Sequence, residues 1–135
     1  MKYMILSYAS QRDYDAMAGQ PAQTPWKPED FAAMGKFMAE FNAELEASGE
    51  LVETRALDAP AHTRRVGGAP VVITDGPYAE TQEVLAGYWI VECASFDRAT
   101  EIARRLAECP APPAVAATAY ADVRPIVESS GELGF

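Results

Sequence analysis

The side chains able to move a proton or meet an anion gather in the middle of the chain. His62 leads Arg64 and Arg65 in "PAHTRR", Asp75 and Tyr78 stand in "TDGPY", Glu80 and Glu83 follow, and Tyr88 sits beside Trp89. A carboxylate between a strand and a Gly-Pro turn is a candidate general base or ligand-binding group, which makes Asp75 the catalytic candidate. The same position suits an Asx turn, whose carboxylate accepts backbone N–H groups while Gly76 supplies a conformation that other residues avoid. The two readings are compatible, because a turn-held carboxylate at a cleft mouth is already positioned. Tyr78 is a packing ring whose hydroxyl can orient a ligand. Tyr88 and Trp89 point to opposite faces of a strand, one toward a core or ligand cleft and the other toward the far side of the sheet. His62 has the only side chain here with an unperturbed pKa near neutrality. Arg64 and Arg65 can receive an anion. The plainer alternatives are an ordinary loop histidine and a charge-protected edge strand. Tyr78, Tyr88, His62 and Arg65 are thus the ligand-binding candidates, and Glu80 and Glu83 read as solvated loop charge.

Other chemistries find few residues. One histidine and two distant cysteines, Cys93 and Cys109, cannot fill a typical transition-metal site, and no cofactor motif, Gly-rich phosphate loop or Ser-His-Asp pattern is visible. Cys109 lies at a helix C-terminus, where the partial negative charge disfavours a thiolate, so it reads as a structural thiol. The expectation is chemistry without a metal or cofactor. A formal charge of −9 repels nucleic acid but admits a basic protein partner. The apolar runs fall far short of the roughly 20 residues that cross a bilayer. The opening Met1-Lys2-Tyr3-Met4-Ile5-Leu6 reads as a strand and not a signal peptide, so a cytoplasmic protein is expected.

Those candidates need elements to hold them. Lys2 to Tyr8 alternates as a strand. Residues 9–27 lose periodicity around Gly19, Pro21 and Pro25 and read as a long loop. Pro28 opens a helix over about 28–48, with Phe31, Met34, Phe37, Met38, Phe41 and Leu45 in one apolar stripe and Gly49 as its C-cap. Leu51 to Leu57 is a strand. Arg64 to Val66 and Pro70 to Thr74 flank Gly67-Gly68 as a hairpin. Leu85 to Cys93 is apolar on both faces, as a central strand would be. Ser95 caps a second helix with an inner face of Phe96, Ala99, Ile102, Ala103 and Leu106, which Pro110, Pro112 and Pro113 stop. Ala117 to Ile126 is the last strand. One domain over 1–127 and a tail over 128–135 are expected.

The order β, α, β, hairpin, β, α, β predicts an α+β protein: an antiparallel sheet with two helices on one face, in a ferredoxin-like βαββαβ core with an added hairpin strand. The chain has no third helix for the second sheet face, which predicts a face-to-face homodimer.

Four pieces in order, Met1-Lys2-Tyr3-Met4, "FNAEL" at 41–45, "TDGPYAETQEVLAGYWIVE" at 74–92 and "VRP" at 123–125, resemble the YCII-related family, in the branch named for its DGPF motif. Tyr78 takes the phenylalanine position of that motif. The resemblance covers residues 1 to about 127 and implies a dimeric α+β barrel in which two ferredoxin-like sheets pack face to face. It also implies two kinds of function. One is binding of a small organic molecule between sheet and helices, with or without catalysis, since a few relatives act on small cyclic molecules. The other is an accessory role with an extracytoplasmic-function sigma factor, whose genes neighbour those of DGPF proteins. Short members of the family carry a His–Asp dyad, but here the helix over 28–48 has no histidine and the Asp-Pro position is Cys109-Pro110. The dyad does not transfer.

Overall fold

The alternation at the N-terminus becomes strand β1, Lys2–Ala9, with Tyr3 and Ile5 buried and Met4 and Leu6 half-buried on the opposite face. The computed structural model describes residues 1–19, 24–76 and 78–134. β1 pairs antiparallel with β5, Val84–Glu92, and with β6, Ala121–Pro125, while β5 pairs on its other side with β2, Leu51–Ala56. The sheet order is β2-β5-β1-β6, the ferredoxin-like arrangement. The apolar run of β5 thus lies inside the sheet, where its backbone groups are paired on both edges.

Two helices cover one face. α2, Pro28–Ser48, starts at a proline suited to a first helical turn, and Asp30 returns its carboxylate to the Lys27 N–H at 2.9 Å. It ends at Gly49 in the left-handed conformation, φ 78°. The next helix, Phe96–Leu106, begins at Ser95, whose hydroxyl accepts from the Arg98 N–H at 3.1 Å; it is α3 once the short α1 below is counted. Phe37, Phe41 and Leu45 of α2 and Ala99, Ile102 and Leu106 of α3 close over Tyr3, Ile5, Trp89 and Val91. Trp89 meets Phe41 edge to face at 6.0 Å, and its indole N–H donates to the Asn42 side chain at 2.9 Å, so the buried donor is satisfied.

Four expectations need correction. Residues 9–27 are not all loop: Gln11–Met17 form α1, set by a reciprocal cap in which Ser10 N–H donates to Asp13 and Asp13 N–H to Ser10 Oγ, at 2.8 and 3.2 Å. Residues 20–23, which include Pro21, lie outside the described part. The hairpin strands β3, Arg64–Gly67, and β4, Val72–Asp75, do not extend the main sheet; they form a two-stranded sheet of their own. The last strand is shorter than 117–126. The prolines after α3 also start a further turn, α4, Pro113–Ala116, because Pro113 occupies a first-turn position.

A junction of all these layers sits at Glu50. Its carboxylate receives Arg98 Nε at 2.9 Å and Nη2 at 2.8 Å, plus the Ser48 hydroxyl at 2.9 Å, and its carbonyl accepts the Glu92 N–H at 2.8 Å. One residue therefore ties the end of α2 and the start of β2 to β5 and α3. The Arg98 guanidinium holds the Glu50 carboxyl below the usual carboxylate range. A depressed pKa adds stability above the ordinary glutamate value, about 4.3, and that stability is lost as pH falls through the depressed value. Glu50→Gln should melt below the parent at neutral pH and show a shallower loss of melting temperature on acidification; parallel pH profiles for the two would sink this account.

Candidate functional site

Four of the five candidates from the sequence converge at the base of the hairpin. Arg64 faces Asp75 and Arg65 faces Thr74 across the ladder, and the Gly76 N–H donates to the Thr63 carbonyl at 2.9 Å. Gly76 takes φ +51°, as the turn requires. Arg65 lies over the Tyr78 ring, 5.2 Å from its centroid. His62 Nδ1 meets Asp58 at 2.9 Å, with both side chains well exposed. Asp58 is held below the usual carboxylate range by the Ala59 N–H first and by His62 second. The Asp75 side chain is 86% exposed, and Arg64 Nε lies 3.7 Å away. The Gly76 N–H goes to the Thr63 carbonyl, and among the described residues the one charged partner of the Asp75 carboxylate is Arg64. Within this cluster Arg64 meets Asp75 and His62 meets Asp58, while Arg65 lies over the Tyr78 ring.

Tyr88 stands apart from the other four. It projects from β5 on the face away from the helices and donates to Glu53 at 2.7 Å, a bond to a carboxylate that pushes the phenol pKa up. Glu83 is not merely solvated: it accepts the Tyr120 hydroxyl at 2.8 Å, which likewise raises the Tyr120 pKa, and the Tyr120 ring stacks on Tyr8 at 5.3 Å.

Neither the hairpin base nor Tyr88 lines the apolar cavity, about 250 Å3 in volume, that lies between the sheet and the helices. Ser7, Trp89 and Ala121 form its floor on the sheet, and Met34 and Met38 come down from α2. Trp26, Leu106 and Cys109 close its sides, and Tyr120 stands at the rim. The local sequence explains the recess. A register irregularity between Ser7 and Tyr8 lets β5 and β1 bend where Gly87 has no side chain, and the Ser7 hydroxyl donates to the Gly87 carbonyl at 3.2 Å. Beyond that point α3 has ended at Leu106, and only small residues of the α4 segment, such as Ala116 and Ala119, reach over the sheet. Burial pushes the Cys109 thiol up, so it stays protonated at neutral pH. The sequence reading assigned Met34 and Met38 to the helix stripe and missed Ser7 and Trp26. Two methionines a turn apart on an inner face, opposite alanines, were the one available signal.

A second recess of about 340 Å3 runs between α2 and α3, lined by Glu44, Glu50, Arg98, Glu101 and Arg105. Its arginines already meet glutamates: Arg98 with Glu50 and Glu101, Arg105 with Glu44 and Glu108. Among the described residues it offers an incoming anion no free cation. Among the described residues, no three His, Cys, Asp or Glu side chains converge as a metal site would need, and no helix is long and apolar enough to cross a membrane.

Residues 1–129 match the model of the YCII-related domain. An uncharacterised protein of Rhizobium meliloti (strain 1021) is 32% identical over 134 residues, which cover 98% of each chain.

The geometry separates two variants. A Cβ at Gly87 would meet the Arg55 carbonyl oxygen at 3.0 Å and Ser7 Oγ at 3.5 Å, so Gly87→Ala should lose about 1–3 kcal/mol in denaturant unfolding through overpacking. Asp75→Ala removes only an exposed ion pair and should stay within about 0.5 kcal/mol of the parent. Equal losses in the two variants would mean that the Asp75 carboxylate holds its turn after all.

Proposed function

The chain belongs to the YCII-related family, and on that premise we propose that it is a cytoplasmic homodimer that binds a small organic molecule in the apolar cavity. The observation that carries the reading is the cavity: a recess of about 250 Å3 with aromatic and aliphatic walls and a hydroxyl on its floor, the usual makeup of a ligand site. It is smaller than the roughly 300–1,000 Å3 of drug-sized sites, which suits a small occupant. Two free thiols, Cys93 and Cys109, suit a reducing compartment. Asp75, the acid–base candidate, stands outside the cavity, so the function proposed is binding rather than catalysis.

The homodimer rests on the sheet face turned from the helices. Met4, Leu6, Tyr8, Tyr88 and Ile90 line it half-buried, and Val66, Val71 and Ile73 of the separate hairpin are each about two-thirds exposed. A second copy laid on that face would cover the sheet in the way the family resemblance implies. A second reading, favoured by the formal charge of −9, is docking to a basic protein partner such as an extracytoplasmic-function sigma factor. Such docking would weaken steeply with salt, whereas occupation of an apolar cavity would not.

Two measurements test the main reading. An unbiased ligand screen by thermal shift should find compounds that raise stability by mass action, by about 2.7 kcal/mol at a hundredfold excess over Kd. Ala121→Phe, which fills the floor of the cavity, should abolish those shifts; full shifts in a folded Ala121→Phe protein would remove the cavity as the site. Sedimentation at micromolar concentration should give about twice 14.6 kDa, and a stable monomer there would remove the homodimer.

A further inference from the structure

We propose that the cavity takes a small, neutral aromatic molecule that carries a hydrogen-bond donor, a class that rests on the ligand-binding reading above and narrows it. The charge of the occupant follows from the walls. No carboxylate, ammonium or guanidinium is among the described residues that line the cavity. An ionised ligand would lose its hydration and gain no counter-charge there, a loss that apolar walls do not offset. The one titratable thiol, Cys109, is kept neutral by burial.

Its aromatic character follows from the side chains that face inward. Trp26 and Trp89 present ring surface, and each is braced from behind: Trp26 stacks on Phe31 at 5.0 Å, and Trp89 is held by Phe41 and by its bond to Asn42. Met17, Met34 and Met38 place thioethers around the same space. Sulfur makes favourable contacts with ring edges, and flexible methionines adapt to a flat guest. A dry apolar cavity of ~150 Å3 holds one benzene ring, so 250 Å3 leaves room for about one or two fused rings.

The donor requirement comes from the floor. A carbonyl only accepts, so the Ser7 hydroxyl must donate its proton to Gly87 O. The Trp89 N–H is directed at Asn42. What the floor still offers is the lone pairs of Ser7 Oγ, and a phenolic O–H or a ring N–H satisfies them. A guest with only an acceptor, such as an aryl ether, would face oxygen with oxygen.

The experiment uses three naphthalenes of similar size as probes: 1-naphthol, 1-methoxynaphthalene and 1-naphthoate. Binding is read by quenching of tryptophan fluorescence. Occupancy is read independently by the rate at which iodoacetamide alkylates Cys109, with Cys93, a core residue outside the cavity, resolved separately by peptide mass. We expect 1-naphthol to bind at least about tenfold more tightly than 1-naphthoate and to slow alkylation of Cys109 but not of Cys93. We expect 1-methoxynaphthalene to fall between them, and Ser7→Ala to narrow the gap between naphthol and its ether. Naphthoate binding as tightly as naphthol would overturn the neutral class while leaving the cavity a ligand site. Ether and naphthol binding alike in the parent protein would overturn the donor requirement in the same way. If no probe quenches tryptophan or protects Cys109, this proposal and the cavity reading fall together.

Discussion

Gly87 is where the sheet is most tightly constrained. Three strands meet there, with β5 carrying β1 on one edge and β2 on the other, and the Arg55 carbonyl oxygen would lie 3.0 Å from an added Cβ, so a side chain there has to push it aside. The bend at this point decides what lies on either side of it. Toward the N-terminal end of β1 the register is regular and the two long helices seal the strands, with Tyr3, Ile5 and Val91 all but removed from solvent. Past Ser7 the sheet turns, α3 has ended, and the seal gives way to the recess floored by Ser7, Trp89 and Ala121. The absence of one methyl group at Gly87 thus allows both the tight core and the empty space beside it.

The two faces of the molecule divide its chemistry. Charged side chains collect at the hairpin base and in the groove between the helices, and several meet a partner locally: Arg64 with Asp75, Arg98 with Glu50, Arg105 with Glu44. Among the described residues that line the cavity, none carries a charged side chain. The polar groups around it are bound to protein partners, Trp89 to Asn42, Tyr120 to Glu83 and Ser7 to the Gly87 carbonyl.

The architecture was legible in the sequence wherever periodicity was long. The stripe from Phe31 to Leu45 and the two-faced run in β5 each span several turns or pairs, and both elements fell close to their expected limits. Short elements were not legible. α1 is held by one cap, Ser10 with Asp13, and has no apolar stripe to announce it; α4 begins at one of the prolines that read as a stop. The candidate site was legible only in part, for a different reason. His62, Arg65, Asp75 and Tyr78 do come together, because they are near in sequence and a hairpin joins them. The cavity draws on β1, α2, β5 and the segments around α4, and what makes Met34 and Met38 lining rather than core is the lack of a side chain opposite them. That is a property of tertiary packing, which one residue's type and spacing do not encode.

The separate hairpin has a consequence for how the protein behaves at high concentration. A two-stranded ribbon is marginal by itself in water, and β3–β4 shares no strand with the sheet that would hold it closed. Its second strand follows directly on an apolar valine, so that Val71-Val72-Ile73-Thr74 forms an uncharged stretch of high strand propensity, exposed along its length. Such a segment, once its ladder opens, is a template for intermolecular pairing. Opening of this ribbon is a local event that does not require the core to melt. The arginines at its first strand and the net negative charge of the chain act as the colloidal brake on that pairing.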